Sequence, residues 1–319
     1  MLKMLKFTKA ASAAAILLFV SGQSLLAGSI PESDDPIKVV MNNWTGQHVS
    51  TKIAGGLLEK MGYNIEYVTA GSVTQHPGLA QGNLHFSAEV WTNNIGDLYP
   101  GFVESGEIDV LGELGLEPRE GWVYPPYMEE RCPGLPDYQA LYECTQAFAS
   151  AETFPNGRLI TYPADWGTRS RDIVEGIELP FNAIAGGSEG AMIAELKSAY
   201  AAKEPIIMMM WQPHWIFADL DLNWVEWNPA DGECVEENQV RDTACGFQQA
   251  SVDKVVWGGF KDKWPAAYKM LTLFEQTNAE QNLAILEVDN KGRDLEDVAA
   301  EWIANNESRW KAWIKEASS

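Results

Sequence analysis

The chain has 319 residues and a formal net charge of −22. This length exceeds the roughly 100–150 residues of a usual single core, which favours two lobes. The acidic charge argues against nucleic acid and anionic membrane surfaces as partners, although it also suits an exported protein that only needs to stay in solution.

The first 27 residues have the pattern of a secretory signal peptide. Three lysines precede an apolar segment from Ala10 to Val20, and Leu25 to Ala27 forms the cleavage region. The apolar segment is shorter than the roughly 20 residues of a membrane span. Removal of the peptide makes the net charge −25. We therefore expect a soluble, monomeric, periplasmic protein that begins near Gly28.

Four cysteines lie in the exported part of the chain, where disulfides persist. Proximity favours the pairs Cys132–Cys144 and Cys234–Cys245, each of which closes a loop of about a dozen residues and contributes roughly 3 kcal/mol. A zinc site is the competing interpretation, but the spacings lack the CxxC form and no histidine lies near either pair. The acidic loop from Asp231 to Glu237 lacks the EF-hand spacing. We predict no metal and no cofactor.

The first part of the mature sequence alternates strand and helix patterns. Strands are predicted at Ile37–Met41, Tyr63–Thr69 and Leu84–Trp91, with helices at about 47–61, 73–81 and 94–105. This order predicts a parallel sheet with right-handed crossovers. The glycine-rich stretch from Asp109 to Trp122 is interpreted as an irregular crossover to the second lobe.

The alternation of strand and helix patterns continues beyond the crossover. Strands are predicted at Arg158–Tyr162 and Pro205–Met210, with helices at about 169–176 and 189–203. Leu222–Trp227 is interpreted as the crossover back to the first lobe, and a short strand and helices at about 262–276, 278–288 and 294–314 follow.

These elements predict an α/β fold with two lobes, each a mainly parallel sheet flanked by helices. Residues 28–112 and 228–319 are assigned to the first lobe and residues 113–227 to the second. Ligands in such sheets bind beyond the carboxyl ends of strands, so we expect the ligand cleft between the lobes.

Four tryptophans, Trp44, Trp91, Trp166 and Trp211, each fall just past an apolar run, two in each predicted lobe. Facing lobes would bring the four rings to one cleft, although single tryptophans also occur as ordinary core residues. A box of indoles suits a quaternary ammonium group, and each face contributes about 0.5–2 kcal/mol. The binding free energy from the aromatic faces alone is smaller than micromolar affinity requires, once the entropy lost on association is included.

The other end of such a ligand needs polar partners. Backbone N–H groups of Gly167 and Thr168, at a predicted helix start, suit an oxygen anion, and His48 can donate to the same oxygen or serve only as a local cap. Glu89 and Glu130 are the acidic candidates near the cationic head. As the alternative of another class, paired carboxylates in an aromatic cleft also suit a secreted carbohydrate-active hydrolase, but no GxSxG, HExxH or P-loop motif supports an enzyme.

Several segments together resemble the substrate-binding proteins of glycine betaine, proline betaine and choline ABC importers. The carriers span nearly the whole mature sequence: NWTGQH at 43–48, LAQGNLHFSAEVW at 79–91, ADWGT at 164–168, GSEGAMIAEL at 187–196 and WQPHW at 211–215. The resemblance implies a two-lobed periplasmic receptor with the type II binding-protein fold, which closes on its ligand and docks to a membrane permease.

The family's site residues fall on positions of this sequence by motif. The resemblance implies that Trp44, Trp166 and Trp211 box the trimethylammonium group, with Trp91 as an extension, and that His48, Gly167 and Thr168 hold the carboxylate. The region from Tyr124 to Cys144 departs from a plain glycine betaine receptor and is similar to marine bacterial receptors for trimethylamine N-oxide. For this smaller ligand we expect Glu130 to complete the pocket, with a glycine betaine or choline receptor for osmoprotection as the alternative.

Overall fold

A computed structural model gives the structure of the protein and describes residues 30–92, 98–227, 246–247 and 251–319. The predicted signal peptide and the predicted disulfide Cys234–Cys245 lie outside these residues. Within the described ranges, no helix combines the length and the apolar character that a membrane crossing requires.

The strands are numbered in chain order. They are β1 (Ile37–Met41), β2 (Ile65–Thr69), β3 (Phe86–Trp91), β4 (Ile108–Glu113), β5 (Arg119–Tyr124), β6 (Pro133–Pro136), β7 (Gly157–Thr161), β8 (Phe181–Ala185), β9 (Met208–Gln212), β10 (Asn223–Trp224) and β11 (Val252–Trp257).

The α-helices are numbered in the same way. They are α1 (Thr45–Lys60), α2 (Gln75–Ala80), α3 (Leu98–Glu104), α4 (Ala140–Glu143), α5 (Arg169–Gly176), α6 (Glu189–Ala202), α7 (Ile216–Asp219), α8 (Phe260–Lys263), α9 (Pro265–Leu273), α10 (Asn278–Ile285), α11 (Leu295–Asn305) and α12 (Glu307–Ala317). Two short 3₁₀ helices (Pro126–Met128 and Thr145–Phe148) and a π-helical turn (Leu286–Asn290) complete the described elements.

Two sheets organise the molecule. The first has the strand order β2-β1-β3-β11-β4, and the second has the order β10-β5-β9-β7-β8. Each sheet is mixed: β1 is parallel to β2 and β3, and β7 is parallel to β8 and β9, whereas β11 and β5 run antiparallel to their neighbours. The antiparallel strands lie next to the passages between the sheets, where the chain changes direction.

The chain passes to the second sheet between β4 and β5 and returns between β10 and β11. The passage therefore lies within Asp109–Trp122 as predicted, but the expected irregular structure of this stretch is wrong, because β4 and β5 occupy most of it. Their pairing partners are β11 and β9, far away in sequence, so a local pattern interrupted by glycines does not indicate them. The predicted lobe limits, 28–112 with 228–319 and 113–227, remain a proposal that this connectivity supports.

Several predicted helix ends differ from the structure. The predicted helix at 294–314 is two helices, because the backbone of Asn306 leaves the helical region at φ −111° and ψ 25°. The predicted helix at 262–276 is also divided, with Pro265 opening α9 at a position where proline is favoured. Ser188 caps α6 as predicted, since its hydroxyl accepts a hydrogen bond from the Ala191 N–H at 3.2 Å.

The site is placed by the two main hydrophobic cores. One core packs α1, α9 and α11 against the first sheet, and the other lies around the second sheet. Trp44 and Ile285, which come from the helices of the first sheet, belong to the core of the second. The two halves of the molecule are therefore in apolar contact beyond the carboxyl ends of β1, β3, β7 and β9.

A disulfide joins Cys132 to Cys144, as predicted, with the Cα atoms 5.2 Å apart. It closes a segment with a sequence separation of 12 that holds the short strand β6 and helix α4 against the second sheet. Bonding between the two sulfurs also removes this pair from the competing zinc interpretation.

We expect the double substitution of Cys132 and Cys144 by alanine to lower the free energy of unfolding by about 3 kcal/mol, the chain-entropy value for a loop of this size. Denaturant titration of the two proteins measures the difference. The wild type treated with reductant should approach the double variant, and a loss well under about 1 kcal/mol would contradict the loop-closure explanation.

Candidate functional site

Four tryptophans line one cavity between the two sheets: Trp44, Trp91, Trp166 and Trp211. Trp44 directly precedes α1 after β1, Trp91 is the last residue of β3, Trp166 lies in the turn after β7, and Trp211 lies in β9. The cavity encloses about 340 Å³ of empty space, part of which is open solvent at its mouth. Its position agrees with the rule that ligands bind beyond carboxyl strand ends.

The indole rings meet at steep angles and so form walls that face inward. The centroids of Trp44 and Trp166 are 5.2 Å apart at 64°, and those of Trp166 and Trp211 are 5.5 Å apart at 78°. These three tryptophans are buried, whereas Trp91 is partly exposed at the edge of the cavity. The predicted strand Pro205–Met210 corresponds to β9 (Met208–Gln212), which begins and ends later than predicted, so that Trp211 lies within the strand itself.

Three further residues line the cavity and were not predicted: Ser72, Glu120 and Tyr162. The Tyr162 hydroxyl donates to Glu120 Oε1 at 2.7 Å. Burial and the charge of Glu120 raise the pKa of Tyr162 well above its ordinary value, so the phenol stays a neutral donor. The position of Tyr162 at the end of a predicted strand was the sequence feature that could have indicated its role. Glu120 lies in β5, whose pairing with β9 places it opposite Trp211.

Glu89 lies behind two of the indoles rather than in the cavity. Its Oε2 accepts hydrogen bonds from the Nε1 of Trp44 at 3.1 Å and from the Nε1 of Trp91 at 3.3 Å. Its Oε1 accepts from the Ser50 hydroxyl at 2.7 Å and from the side-chain amide of Gln281. The side chain is fully buried, and burial raises the pKa of Glu89.

The predicted polar partners occupy other places. The Nε2 of His48 lies 2.6 Å from the carbonyl oxygen of Asn42, and His48 is not among the residues that line the tryptophan cavity. Gly167 and Thr168 line a neighbouring cavity, and the Thr168 hydroxyl donates to the Asp172 carboxylate at 2.8 Å. Ligand contact by His48, Gly167 and Thr168 remains a prediction.

Glu130 is not among the residues that line the cavity. It lies in an exposed turn between the 3₁₀ helix Pro126–Met128 and Cys132, and Glu120 is the acidic residue that lines the cavity. The sequence shows that the region from Tyr124 to Cys144 is unusual but does not show which way its loop points, and ligand contact by Glu130 stays a prediction.

Comparison with known proteins adds the family. Residues 35–305 match the family described as the substrate-binding domain of the ABC-type glycine betaine transport system. The chain belongs to this family. It is therefore a substrate-binding protein of an ABC transport system, as the resemblance of its motifs indicates.

Relatives of this substrate-binding family include a curated protein and solved structures. The trimethylamine N-oxide-binding protein of Pelagibacter ubique (strain HTCC1062) is 28% identical over 295 residues, which cover 89% of this chain and 92% of that protein. The structure of lactococcal OpuAC, closed with glycine betaine, has a TM-score of 0.70 at 20% identity and covers 88% of this chain and all of that one. A choline-binding protein with choline has a TM-score of 0.71 at 17% identity, covering 91% of this chain and 100% of that one.

These structural likenesses establish the fold. The chain has the two-sheet α/β architecture of type II periplasmic binding proteins, as predicted from its motifs. The tryptophan cavity lies between the two sheets of this binding-protein fold.

Polar contacts join the two halves of the binding protein around the cavity. The Asn43 side-chain amide donates to Asp165 at 3.0 Å, and its carbonyl oxygen accepts the Trp166 indole N–H. The first backbone N–H of α1, at Thr45, donates to Glu189 of α6 at 2.8 Å. A carboxylate from one half thus caps a helix of the other half, a placement that the helix dipole favours.

A second interlobe cluster contains Glu189, His214 and Asp289, with ligand-capable atoms all within 4.8 Å of one another. The Nδ1 of His214 accepts the Ile216 N–H at 3.1 Å, and its Nε2 lies 3.3 Å from Glu189 Oε1, although neither of these two atoms has a hydrogen-bond partner among the described residues. The cluster brings Asp289 against two residues that flank the second sheet.

Asp289 is the acid of this cluster whose pKa is shifted. Its carboxylate accepts from the Thr45 hydroxyl at 2.6 Å and from the Trp215 indole N–H at 3.4 Å. Although the residue as a whole is exposed, burial of the carboxylate and then the charge of Glu189 raise its pKa above the ordinary value of 3.8. The folded protein therefore takes up a proton here as the pH falls, and ionised Asp289 opposes the closed arrangement at neutral pH.

We expect Asp289→Asn to gain stability relative to the wild type at neutral pH and to lose that relative gain as the pH falls through the raised pKa of the wild-type carboxyl. Denaturant titrations of both proteins across this range measure the difference in the free energy of unfolding. The exposed Asp221→Asn is the control and should show no such trend. A pH-independent difference for Asp289→Asn would contradict the raised pKa.

Proposed function

We propose that the protein captures a small trimethylammonium compound in the tryptophan cavity and delivers it to the permease of an ABC importer. The observation that carries this proposal is the convergence of four indoles, from both sheets, on one small cavity. A trimethylammonium group has no N–H to donate, so aromatic faces are its natural partners, at about 0.5–2 kcal/mol for each face.

Trimethylamine N-oxide is the ligand that we infer from the polar residues of the cavity. The carboxylate of Glu120 and the hydroxyl of Tyr162 face the same space. The single hydroxyl hydrogen of Tyr162 is already donated to Glu120, so Glu120 offers a ligand an acceptor, to which a protonated N-oxide oxygen can donate. The carboxylate of glycine betaine would instead place a second negative charge near Glu120, which costs free energy in a buried site.

The identity of the Pelagibacter relative also supports the N-oxide, since that protein matches nearly the full length of this chain. Choline is the second candidate, because its hydroxyl donates to a carboxylate such as Glu120. A choline or glycine betaine receptor would serve osmoprotection rather than N-oxide uptake.

The proposed mechanism is closure of two lobes about the passages near residues 109–115 and 224–229. The contacts of Asn43 with Trp166 and of Thr45 with Glu189 form only when the lobes meet. We further propose a periplasmic, monomeric protein that leaves its ligand chemically unchanged. The positions of two acidic residues that a hydrolase could use support this choice. Glu89 is buried behind the indoles, and Glu130 is exposed and is not among the residues that line the cavity.

Trp211→Ala should weaken binding of trimethylamine N-oxide by about tenfold or more, because one aromatic wall and its contact area are removed. Isothermal titration calorimetry measures the affinity, and mass analysis of the recovered ligand should show it unaltered. Trp313→Ala, which removes a partly buried indole elsewhere, is the control. Equal affinities of Trp211→Ala and the wild type would show that Trp211 has only a structural role.

Glu120→Gln should weaken trimethylamine N-oxide by about tenfold and leave glycine betaine unchanged or tighter, because the variant keeps the shape of the side chain without its charge. Calorimetry with both ligands gives the ratio. The exposed Glu130→Gln serves as the matched control and also tests the original expectation for Glu130. Tightest wild-type binding to glycine betaine would reject the N-oxide assignment.

A further inference from the structure

Glu89 is a fully buried carboxyl group whose four side-chain hydrogen-bond partners among the described residues are all uncharged. Two are the indole N–H groups of Trp44 and Trp91, and two are the side chains of Ser50 and Gln281. None of the ion pairs among the described residues includes Glu89. Burying a charge without an opposite charge costs free energy, so the position of Glu89 needs a physical explanation.

Three of the four partners, the two indole N–H groups and the Gln281 side-chain amide, can only donate to Glu89. The Ser50 hydroxyl can donate or accept, because its hydrogen also has the Gly46 carbonyl oxygen within reach at 3.1 Å. Burial is the larger influence and raises the pKa of Glu89, whereas the hydrogen bonds lower it. The three donors stabilise the ionised form against this burial.

The orientation of the two indoles links this charge to the cavity. Trp44 and Trp91 both line the cavity, and both turn the N–H edge of the ring toward the same oxygen, Oε2 of Glu89. These two hydrogen bonds, at 3.1 and 3.3 Å, orient both rings, and a negative carboxylate draws the N–H dipoles so that the negative end of each indole lies toward the cavity side.

We propose that Glu89 is the positioning residue of the aromatic box and the counter-charge of the bound ligand, acting through the indoles of Trp44 and Trp91. The proposal rests on the proposed function, because it concerns the charged nitrogen of the ligand. A cation that enters the cavity meets two ring faces backed by a buried negative charge. An uncharged molecule of the same shape gains the contact area of the rings but not this attraction.

A matched pair of ligands tests the charge directly. Trimethylamine N-oxide and tert-butyl alcohol have the same skeleton, with a charged nitrogen in one and a neutral carbon in the other. We expect the wild type to prefer the N-oxide and Glu89→Gln to lose about tenfold of this preference, measured by calorimetric competition. Ser50→Ala is the control, since it removes one hydrogen bond from Glu89 and keeps the charge.

The outcomes separate the hypotheses. If Glu89→Gln weakens both ligands by the same factor, the residue is only structural and the proposal is overturned. If the wild type binds neither methylated amine, the proposed function fails instead. If Ser50→Ala changes the preference as much as Glu89→Gln, the hydrogen bonds rather than the charge set the selectivity, which also overturns the proposal.

A spectroscopic measurement tests the indole contacts independently of affinity. The indole N–H resonances of Trp44 and Trp91, assigned with single Trp→Phe variants, should move in Glu89→Gln, whereas Trp310, which donates to the Ile303 carbonyl oxygen, should not. If Glu89→Gln does not fold, the wild type provides the test. Its two resonances should respond more strongly to saturating trimethylamine N-oxide than to saturating tert-butyl alcohol, and equal responses would contradict the proposal.

Discussion

The attraction between aromatic faces and a methylated cation is the constraint on which the proposed site depends. Such a cation offers no hydrogen to an acceptor, and each face contributes about 0.5–2 kcal/mol, so several rings must act together. No single element can present them, because successive side chains on a strand point to opposite faces. The chain solves this by placing one tryptophan at the carboxyl end of each of four strands, two from each sheet.

Two acidic side chains lie around this aromatic site. Glu120 lines the cavity, and Glu89 lies directly behind the indoles of Trp44 and Trp91. The residues that line the cavity in the described part of the chain include no lysine or arginine. In the proposed site, the inner carboxylate meets the polar end of a ligand and the outer one supports the rings.

The sequence was informative where a signal was local. Each box tryptophan follows an apolar run, and Ser188 and the cysteine pair at 132 and 144 carry short-range patterns that the structure bears out. The failures involve distant partners. Glu120 lies in β5, which is recognisable only through its pairing with β9 about 90 residues later, and Glu130 was placed near the cavity without knowledge of its loop. The strand β8 and the break at Asn306 were missed for the same lack of tertiary context.

The apolar contact of Trp44 and Ile285 with the core of the second sheet has a thermodynamic consequence. In the proposed closure mechanism, part of the surface that stabilises the folded chain is also the surface that separates when the lobes part. Opening would then expose apolar area to water, with the accompanying change in heat capacity. The proposed ligand capture and the thermal stability would share this surface, so the melting temperature would report on the position of the lobes as well as on the integrity of the fold.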